Sequence, residues 1–507
     1  MRDDLSLTVF EALATSCGDP ICADRAPYFE LEQCPLRLVT LKLQNFRGYT
    51  DRKFTLHPQF NLIVGVNGSG KTSLLEAAAV AIGSWFLGIR GYDSRNIRPR
   101  DVRVVREFVE KRYRELPQYP VEVSAEGMLT IAKAGRNGDS GQVEISDGAK
   151  ERLVSWARSV DGPGGRTTQA DAKTLKKIAE ATAKSILNSE PRILPLIRYF
   201  GAGRLWESVR DSNGKTLSKY RGKQPGELAS EDLLDELLAE GEALARPFYG
   251  YRLSVDKRCN PDDLIRWMAY ERRNELDEDE QSPALRLVYK AVESMLPNAI
   301  SARYSVKLRT LIIRLSDNRF FSFEELSDGY RNVVAIAADL AIKAAMLNPS
   351  LAEKALELTP GVVLIDELDL HLHPIWQREI VEALRRTFPR LQFICTTHSP
   401  FLIQSLRSGA ELIVLDGQPT ADVANMTLED IAQGLMGVND ADVSQRYREM
   451  KGVARQYLET LENAAMEPEE KLADFKQRLA DSIAPYADNP AFQAFLEMKR
   501  AATKLGD

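Results

Sequence analysis

The chain has 507 residues, 44% of them hydrophobic and 28% charged, with a net charge of −6 and five cysteines. The length suits two to four domains (about 100–200 residues each), and the acidic balance excludes a histone-like polycation while leaving room for a local basic face. No apolar run approaches the roughly 18 residues of a membrane helix, and five cysteines in such a length do not form a disulfide framework.

Residues 1–35 are expected to form a partly helical N-terminal extension. The opening MRDDLSLTVFEALATSC is acidic where a secretory signal would be basic, so a reduced cytoplasm is the expected home. Cys17, Cys22 and Cys34 lie in or beside this arm without a nearby histidine, which favours ordinary thiols over a zinc site. At 36–50, LRLVTLKLQNFRGYT alternates apolar and polar residues like a half-buried strand. FNLIVGV (60–66) predicts a second strand running into a Gly-rich turn, and a helix is predicted from Thr72 to about Trp85. Residues 36–94 then make the first lobe of an α/β head.

Residues 95–320 are expected to be an inserted, mainly helical region with short strands such as VEVSA and MLTIA. Loops interrupt it at GRNGDSG (135–141), VDGPGG (160–165), DSNGKT (211–216) and the acidic NELDEDEQSP (274–283). KRYR (111–114) and RGKQ (221–224) read as solvated basic patches. Residues 321–424 predict a helix at 329–347, the strand GVVLI, a helix at 375–387 and the strands LQFICTT and ELIVL. Strands alternating with helices predict a mostly parallel, helix-covered sheet. Residues 425–507 predict a helical tail. There Tyr447, Met450, Val453, Tyr457 and Leu461 recur at helical spacing, and NPAFQAFLEMKR forms a second short helix. The tail is expected to pack on the core, to self-associate or to dock a partner.

The chemistry begins at GVNGSGKT (65–72), which fits G-x-x-x-x-G-K-T at every position. Glycines let successive backbone N–H groups turn inward around phosphate oxygens, and the helix that follows adds its positive end. The expected ATP cradle comprises Asn67, Gly68, Ser69, Gly70, Lys71, Thr72 and Ser73. Lys71 would reach the β- and γ-phosphates, and Thr72 would ligate Mg²⁺.

Such a loop needs a second strand ending in a carboxylate, and VVLIDELDLHLHPIWQ (362–377) supplies it. Asp366 is expected to hold Mg²⁺ and Glu367 to polarise the attacking water. His371 and His373 read as structural or interface residues, since Mg²⁺ prefers oxygen ligands to imidazole.

FEELSDGYRN (323–332) resembles the ABC signature, with Leu326, Ser327, Asp328 and Gly329 in place of Leu-Ser-Gly-Gly. TTHSP (396–400) places His398 where the ABC switch histidine stands, a catalytic position beside the γ-phosphate. Asp369 falls in the D-loop. In such ATPases the signature and the D-loop meet a second subunit, so Ser327, Gly329 and Asp369 are candidate nucleotide or interface contacts across a dimer.

LKLQNFRGY followed by FNLIVGVNGSGKTSLLEA resembles the start of the RecF, SMC, Rad50 and OLD branch of ABC-type ATPases. In that branch the Arg after Asn-Phe approaches the phosphates, which implies the same for Arg47. PLIRYFGAGRLW, TPGVVLIDELDLHLHPIWQ and FPRLQFICTTHSPFLIQSL resemble AAA-family, ABC-type defence ATPases of bacteria, including the ATPase subunit of the Septu anti-phage system, also found beside retrons. The resemblance implies a homodimer or higher oligomer that sandwiches ATP and controls a small HNH nuclease subunit. DNA or a retron nucleic acid is a further partner it admits. The alternative is a RecF-like, ATP-dependent DNA-binding repair protein. No residue takes the Q-loop position, for which Gln142 is a poor candidate. Asp416, Asp440 and Asp442 do not fit a TOPRIM nuclease pattern, so no nuclease site is expected in this chain. Arg204 in GAGRLW reads as part of a tight turn or as a phosphate or DNA contact.

Overall fold

The computed structural model describes residues 36–109, 112–130, 134–136, 143–145, 151–190, 192–205, 248–415, 426–428, 430–431, 445–464, 494, 496 and 498. The chain divides into two compact units, 1–424 and 425–507.

In the first unit the strands follow in the order β1 (Leu36–Phe46), β2 (Tyr49–Thr55), β3 (Phe60–Val64), β4 (Val104–Val109), β5 (Arg112–Pro117), β6 (Val121–Thr130), β7 (Ala134–Arg136), β8 (Val143–Ile145) and β9 (Glu151–Val160). Then come β10 (Leu196–Phe200), β11 (Ala299–Ser305), β12 (Thr310–Leu315), β13 (Phe320–Ser322), β14 (Gly361–Ile365), β15 (Leu391–Thr396) and β16 (Leu412–Val414). The central sheet has five strands in the order β10-β14-β15-β3-β16, and every pairing in it is parallel. Its inner strands are buried along their whole length, which is why they read as short apolar runs rather than alternating ones. A four-stranded antiparallel sheet, β2-β1-β6-β9, accompanies it in this α/β unit.

The segment 36–50 is a hairpin, not one strand. The chain reverses at Arg47–Gly48 so that Phe46 faces Tyr49, with Arg47 in the left-handed region at φ 51°. VEVSA and the described part of MLTIA, Met128–Thr130, likewise belong to one strand, β6. Gly127 at their junction lets the neighbouring strand approach: a Cβ there would lie 2.7 Å from the Trp156 ring.

The reading of 95–320 as a mainly helical insertion is corrected in the same way. β6 pairs with β1 and with β9, and β10 forms an edge of the central sheet beside β14. Arg198 hides β10 by breaking its apolar run. Its guanidinium is fully buried, bound to Asp339 at 2.7 Å and to the carbonyls of Tyr199, Leu253, Asp256 and Arg258. The acidic stretch 274–283 is not all loop either, because the helix Pro261–Glu278 runs through its first half and ends at Asp279, φ 53°.

The helix Asp328–Leu347 is buried over most of its length, and Pro374–Thr387 starts from His373 with proline at its first position. In the second unit the described helix is Gln445–Ala464. Tyr457 on it is buried, and Met450 and Val453 are half-buried. The expected helix at NPAFQAFLEMKR, the N-terminal arm and its cysteines, RGKQ, Gln142, Trp206, Asp416, Asp440 and Asp442 lie wholly or mostly outside the described residues. No described helix is long and apolar enough to cross a membrane.

Candidate nucleotide site

β3 delivers the chain to the phosphate loop at the C-terminal edge of the parallel sheet, where open α/β folds bind ligands. Gly68 and Gly70 take φ of 85° and 106°, left-handed values that favour glycine. Gly70 also has no room for a side chain. A Cβ would sit 2.8 Å from the Tyr49 hydroxyl, which donates to the Gly70 carbonyl at 3.2 Å.

The helix Lys71–Gly83 starts directly from the loop, and no side chain caps it. Its first-turn N–H groups are therefore disposed toward an anion. The Lys71 ammonium is buried and folds back on the carbonyls of Gly65 (2.7 Å) and Val66 (3.1 Å). Asn67 and Gly68 are exposed at the loop crest, and Ser69 and Ser73 are half-buried. The Ser69 hydroxyl oxygen is sealed from water without a hydrogen-bond partner.

Asp366 sits at the end of β14 and is 5% exposed. The Thr72 hydroxyl lies 3.2 and 3.1 Å from its two carboxylate oxygens. From the next strand, the Thr396 hydroxyl donates to the same carboxylate at 2.7 Å and accepts the Glu367 N–H at 2.8 Å. Glu367 is held at φ 51°. Asp369 reaches across to accept from the Thr397 hydroxyl at 2.6 Å and the His398 N–H at 3.4 Å. The segments 366–369 and 396–398 are thus stitched into one unit, with the exposed His398 at its rim.

Sequence reasoning singled out Arg204 without foreseeing its place beneath this unit. Arg204 is 1% exposed, and its guanidinium donates to the carbonyls of Asp366 (2.9 Å), Glu367 (3.3 Å) and Gly201 (3.0 Å). Burial pulls its pKa down to about 10, which leaves it charged at neutral pH. The signal in the sequence is the GAGR turn directly after LIRYF.

Ser327 caps the helix Asp328–Leu347 by accepting the Tyr330 N–H at 3.5 Å, and Ser327 and Asp328 are exposed. Gly329 is buried against the backbone of the carboxylate loop. A Cβ there would lie 2.5 Å from the His371 carbonyl oxygen. His373 accepts the Ile375 N–H at 3.4 Å as a helix cap.

Arg47 does not point to the loop. Its guanidinium binds Asp101 at 2.7 and 3.0 Å and lies 3.7 Å from Glu76, one turn along the loop helix from Thr72. Arg95 joins the same two carboxylates at 2.6 and 3.0 Å, and Lys257 pairs with Glu76. Burial alone would raise the Glu76 carboxyl, but Arg95 and Lys257 outweigh it and hold the pKa at about 2.

A parallel sheet carrying a P-loop on one strand, a paired Asp-Glu on another and a threonine-histidine turn between them is that of a P-loop ATPase. A family model described as an AAA domain matches residues 40–293, half of the 507-residue chain, and the chain belongs to this AAA-domain family. A second AAA-domain model, whose description names the AbiEii toxin of a type IV TA system, matches 246–404.

A Vibrio cholerae (serotype O1 biovar El Tor) protein named "Retron Vc95 probable ATPase" is 26% identical over 408 residues, covering 75% of this chain and 73% of its own. The Escherichia coli "Retron Ec83 probable ATPase" is 25% identical over 421 residues, covering 77% and 73%. A "Septu protein PtuA" from Bacillus mycoides (strain KBAB4) is 41% identical over 101 residues, covering 20% of this chain and 13% of its own.

Proposed function

We propose that the chain is the ATP-hydrolysing regulatory subunit of an anti-phage defence complex, that two copies sandwich ATP, and that this state controls an associated HNH-type nuclease. The observation that carries the reading is the convergence of Thr72, Thr396 and Glu367 on the Asp366 loop, with Ser327 and Asp328 exposed at an uncovered helix start. The retron and Septu names of the relatives supply the defence context.

In this reading Lys71 binds the β- and γ-phosphates together with the N–H groups of Asn67, Gly68, Ser69 and Gly70, while Ser73 lies on the first turn beside them. Thr72 and Asp366 hold Mg²⁺. Their hydroxyl–carboxylate pair supplies the hard oxygen donors such an ion takes. Among the described residues no group of three or more His, Cys, Asp or Glu side chains is placed to hold a metal. An ion held there by Thr72 and Asp366 would supply charge neutralisation for the nucleotide phosphates. Glu367 takes the proton of the attacking water, and His398 orients the γ-phosphate. Ser327, Gly329 and Asp369 serve the nucleotide held by the opposite subunit. Arg47 serves this site through Asp101 and Glu76 rather than by touching phosphate.

Lys71→Ala removes the cation aimed at the phosphates, so ATP affinity should fall well over tenfold, about 1.4 kcal/mol or more. Unchanged affinity by calorimetry would remove the assignment of 65–72.

Cysteines at Asn67, exposed at the loop crest, and Asp328 should cross-link between chains, and only with ATP present. Asp328 is 49% exposed at its side chain and so accessible to an opposing loop. Links formed solely within one chain refute the sandwich. The nuclease part of the reading is tested separately, by isolating the native complex on a catalytically dead background. An HNH subunit should co-elute, and a complex without any nuclease rejects that part alone.

A further inference from the structure

The carboxylate loop 366–373 holds two non-glycine residues in the left-handed region, Glu367 at φ 51° and His371 at φ 60°. Such backbone persists where its surroundings fix it from several sides. On one side, Thr396 and Thr397 bond Asp366 and Asp369. On a second side stands the helix Asp328–Leu347. There the Asn332 amide donates to the Leu370 carbonyl at 3.4 Å, and Gly329 packs against the His371 carbonyl.

The third side is Gln377, in the first turn of the helix Pro374–Thr387. Its Nε2 donates to the Leu372 carbonyl at 2.8 Å, and its Oε1 accepts from the Ser399 hydroxyl at 2.6 Å. The partners fix which way the amide points. A carbonyl can only accept, so the nitrogen faces Leu372. The Ser399 oxygen already accepts the Phe401 N–H at 3.1 Å as a helix cap, so its own proton goes to Gln377. Ser399 and Leu372 are buried and Gln377 is half-buried, a setting that strengthens both bonds. His398 therefore stands between two tethered neighbours. Thr397 before it is tied to Asp369, and Ser399 after it is tied to Gln377.

We propose that Gln377 is a positioning residue for ATP hydrolysis, whose carboxamide fastens the turn 396–399 to the loop 366–373 and so sets where the His398 imidazole stands relative to Glu367. The inference rests on the ATPase reading, in which His398 orients the γ-phosphate and Glu367 takes the proton of water. Gln377 acts through His398 and makes no described hydrogen bond with residues 65–73. Binding and turnover should therefore part when it is lost. The helix keeps its seat without this side chain, because Ile380, Val381 and Leu384 are buried and Arg378 lies over the Phe401 ring at 5.1 Å.

The test uses the full chain. Gln377→Met keeps the length of the side chain and removes both hydrogen bonds. Its kcat should fall roughly ten- to hundredfold, while KM and the ATP affinity by calorimetry stay within a few-fold of wild type. Gln377→Glu can still accept from Ser399 but turns a carboxylate oxygen toward the Leu372 carbonyl, so it should lose at least as much kcat. The second arm repeats Gln377→Met in a His398→Ala background. If the clasp acts through His398, kcat should fall no further there. Melting temperatures are measured throughout, and turnover is normalised to folded protein. A wild-type kcat for Gln377→Met overturns the inference. So does a fall by the same factor in the His398→Ala background, which makes Gln377 a support of the fold, or a loss of ATP affinity that matches the loss of kcat, which makes it a support of binding. A wild-type kcat for His398→Ala overturns the part His398 plays in the ATPase reading, and the inference with it, and is told apart from the other outcomes by that single variant.

Discussion

Replacing Glu367 by glutamine should leave ATP bound and cut turnover by about 10²-fold or more. The substitution is nearly isosteric, so the backbone at φ 51° and the N–H bond to Thr396 are retained. Asp366 keeps its contacts with Thr72 and Thr396, and with them the proposed ion site. The variant lacks the carboxylate proposed to accept a proton from water, while Asp366 keeps its bonds to Thr72 and Thr396. The separation between binding and chemistry is the diagnostic. ATP affinity by calorimetry should remain within a few-fold of wild type, single-turnover hydrolysis should nearly stop, and an ATP-bound dimer should accumulate. A variant that hydrolyses normally places the base at another residue, and one that no longer binds ATP shows that Glu367 supports the loop rather than the reaction.

Legibility followed how local each feature is. GVNGSGKT and VVLIDE can be read because the strand, the turn and the reacting side chains are contiguous in each. The central strands were legible for the same reason, being short apolar runs bounded by turns. β10 was hidden by Arg198, a charge that the apolar pattern rejects and that only distant partners make acceptable in a core: Asp339 lies 141 positions away. The mainly helical reading of 95–320 failed because β6 and β9 acquire meaning only once they pair with β1, and chain order places them far from it. Arg47 is a different case. Its position after Asn-Phe fits the family pattern, but Asp101 and Arg95, which settle where the guanidinium goes, lie about 50 positions downstream with no local mark. Thr396 and Thr397 read in sequence as flanks of a histidine motif, while in the fold their hydroxyl groups join Asp366 to Glu367 and Asp369 to the next strand.

Arg204→Ala should lower kcat for ATP at least tenfold while moving KM much less, and should also lower the melting temperature. Three carbonyl oxygens, of Gly201, Asp366 and Glu367, share the Arg204 guanidinium in a sealed pocket. Alanine leaves them without donors, and each hydrogen bond to a charged group is worth about 1.5–3 kcal/mol. Two of those carbonyls belong to the residues proposed to hold the ion and to activate water, so the damage falls on the geometry of the chemical step. The phosphate loop makes no described hydrogen bond with Arg204, which is why binding should suffer less than turnover. Reduced stability alone would scale kcat by the folded fraction and would leave the activity of the folded protein intact. Turnover is therefore measured well below the melting point and normalised to folded protein. Arg204→Lys supplies the second arm, because an ammonium can satisfy one or two of the carbonyls but cannot span both peptide units in a fixed plane. It should recover much of the stability and little of the kcat. If lysine restores both together, Arg204 is a structural prop. If alanine turns over at the wild-type rate per folded molecule, the positioning role is rejected.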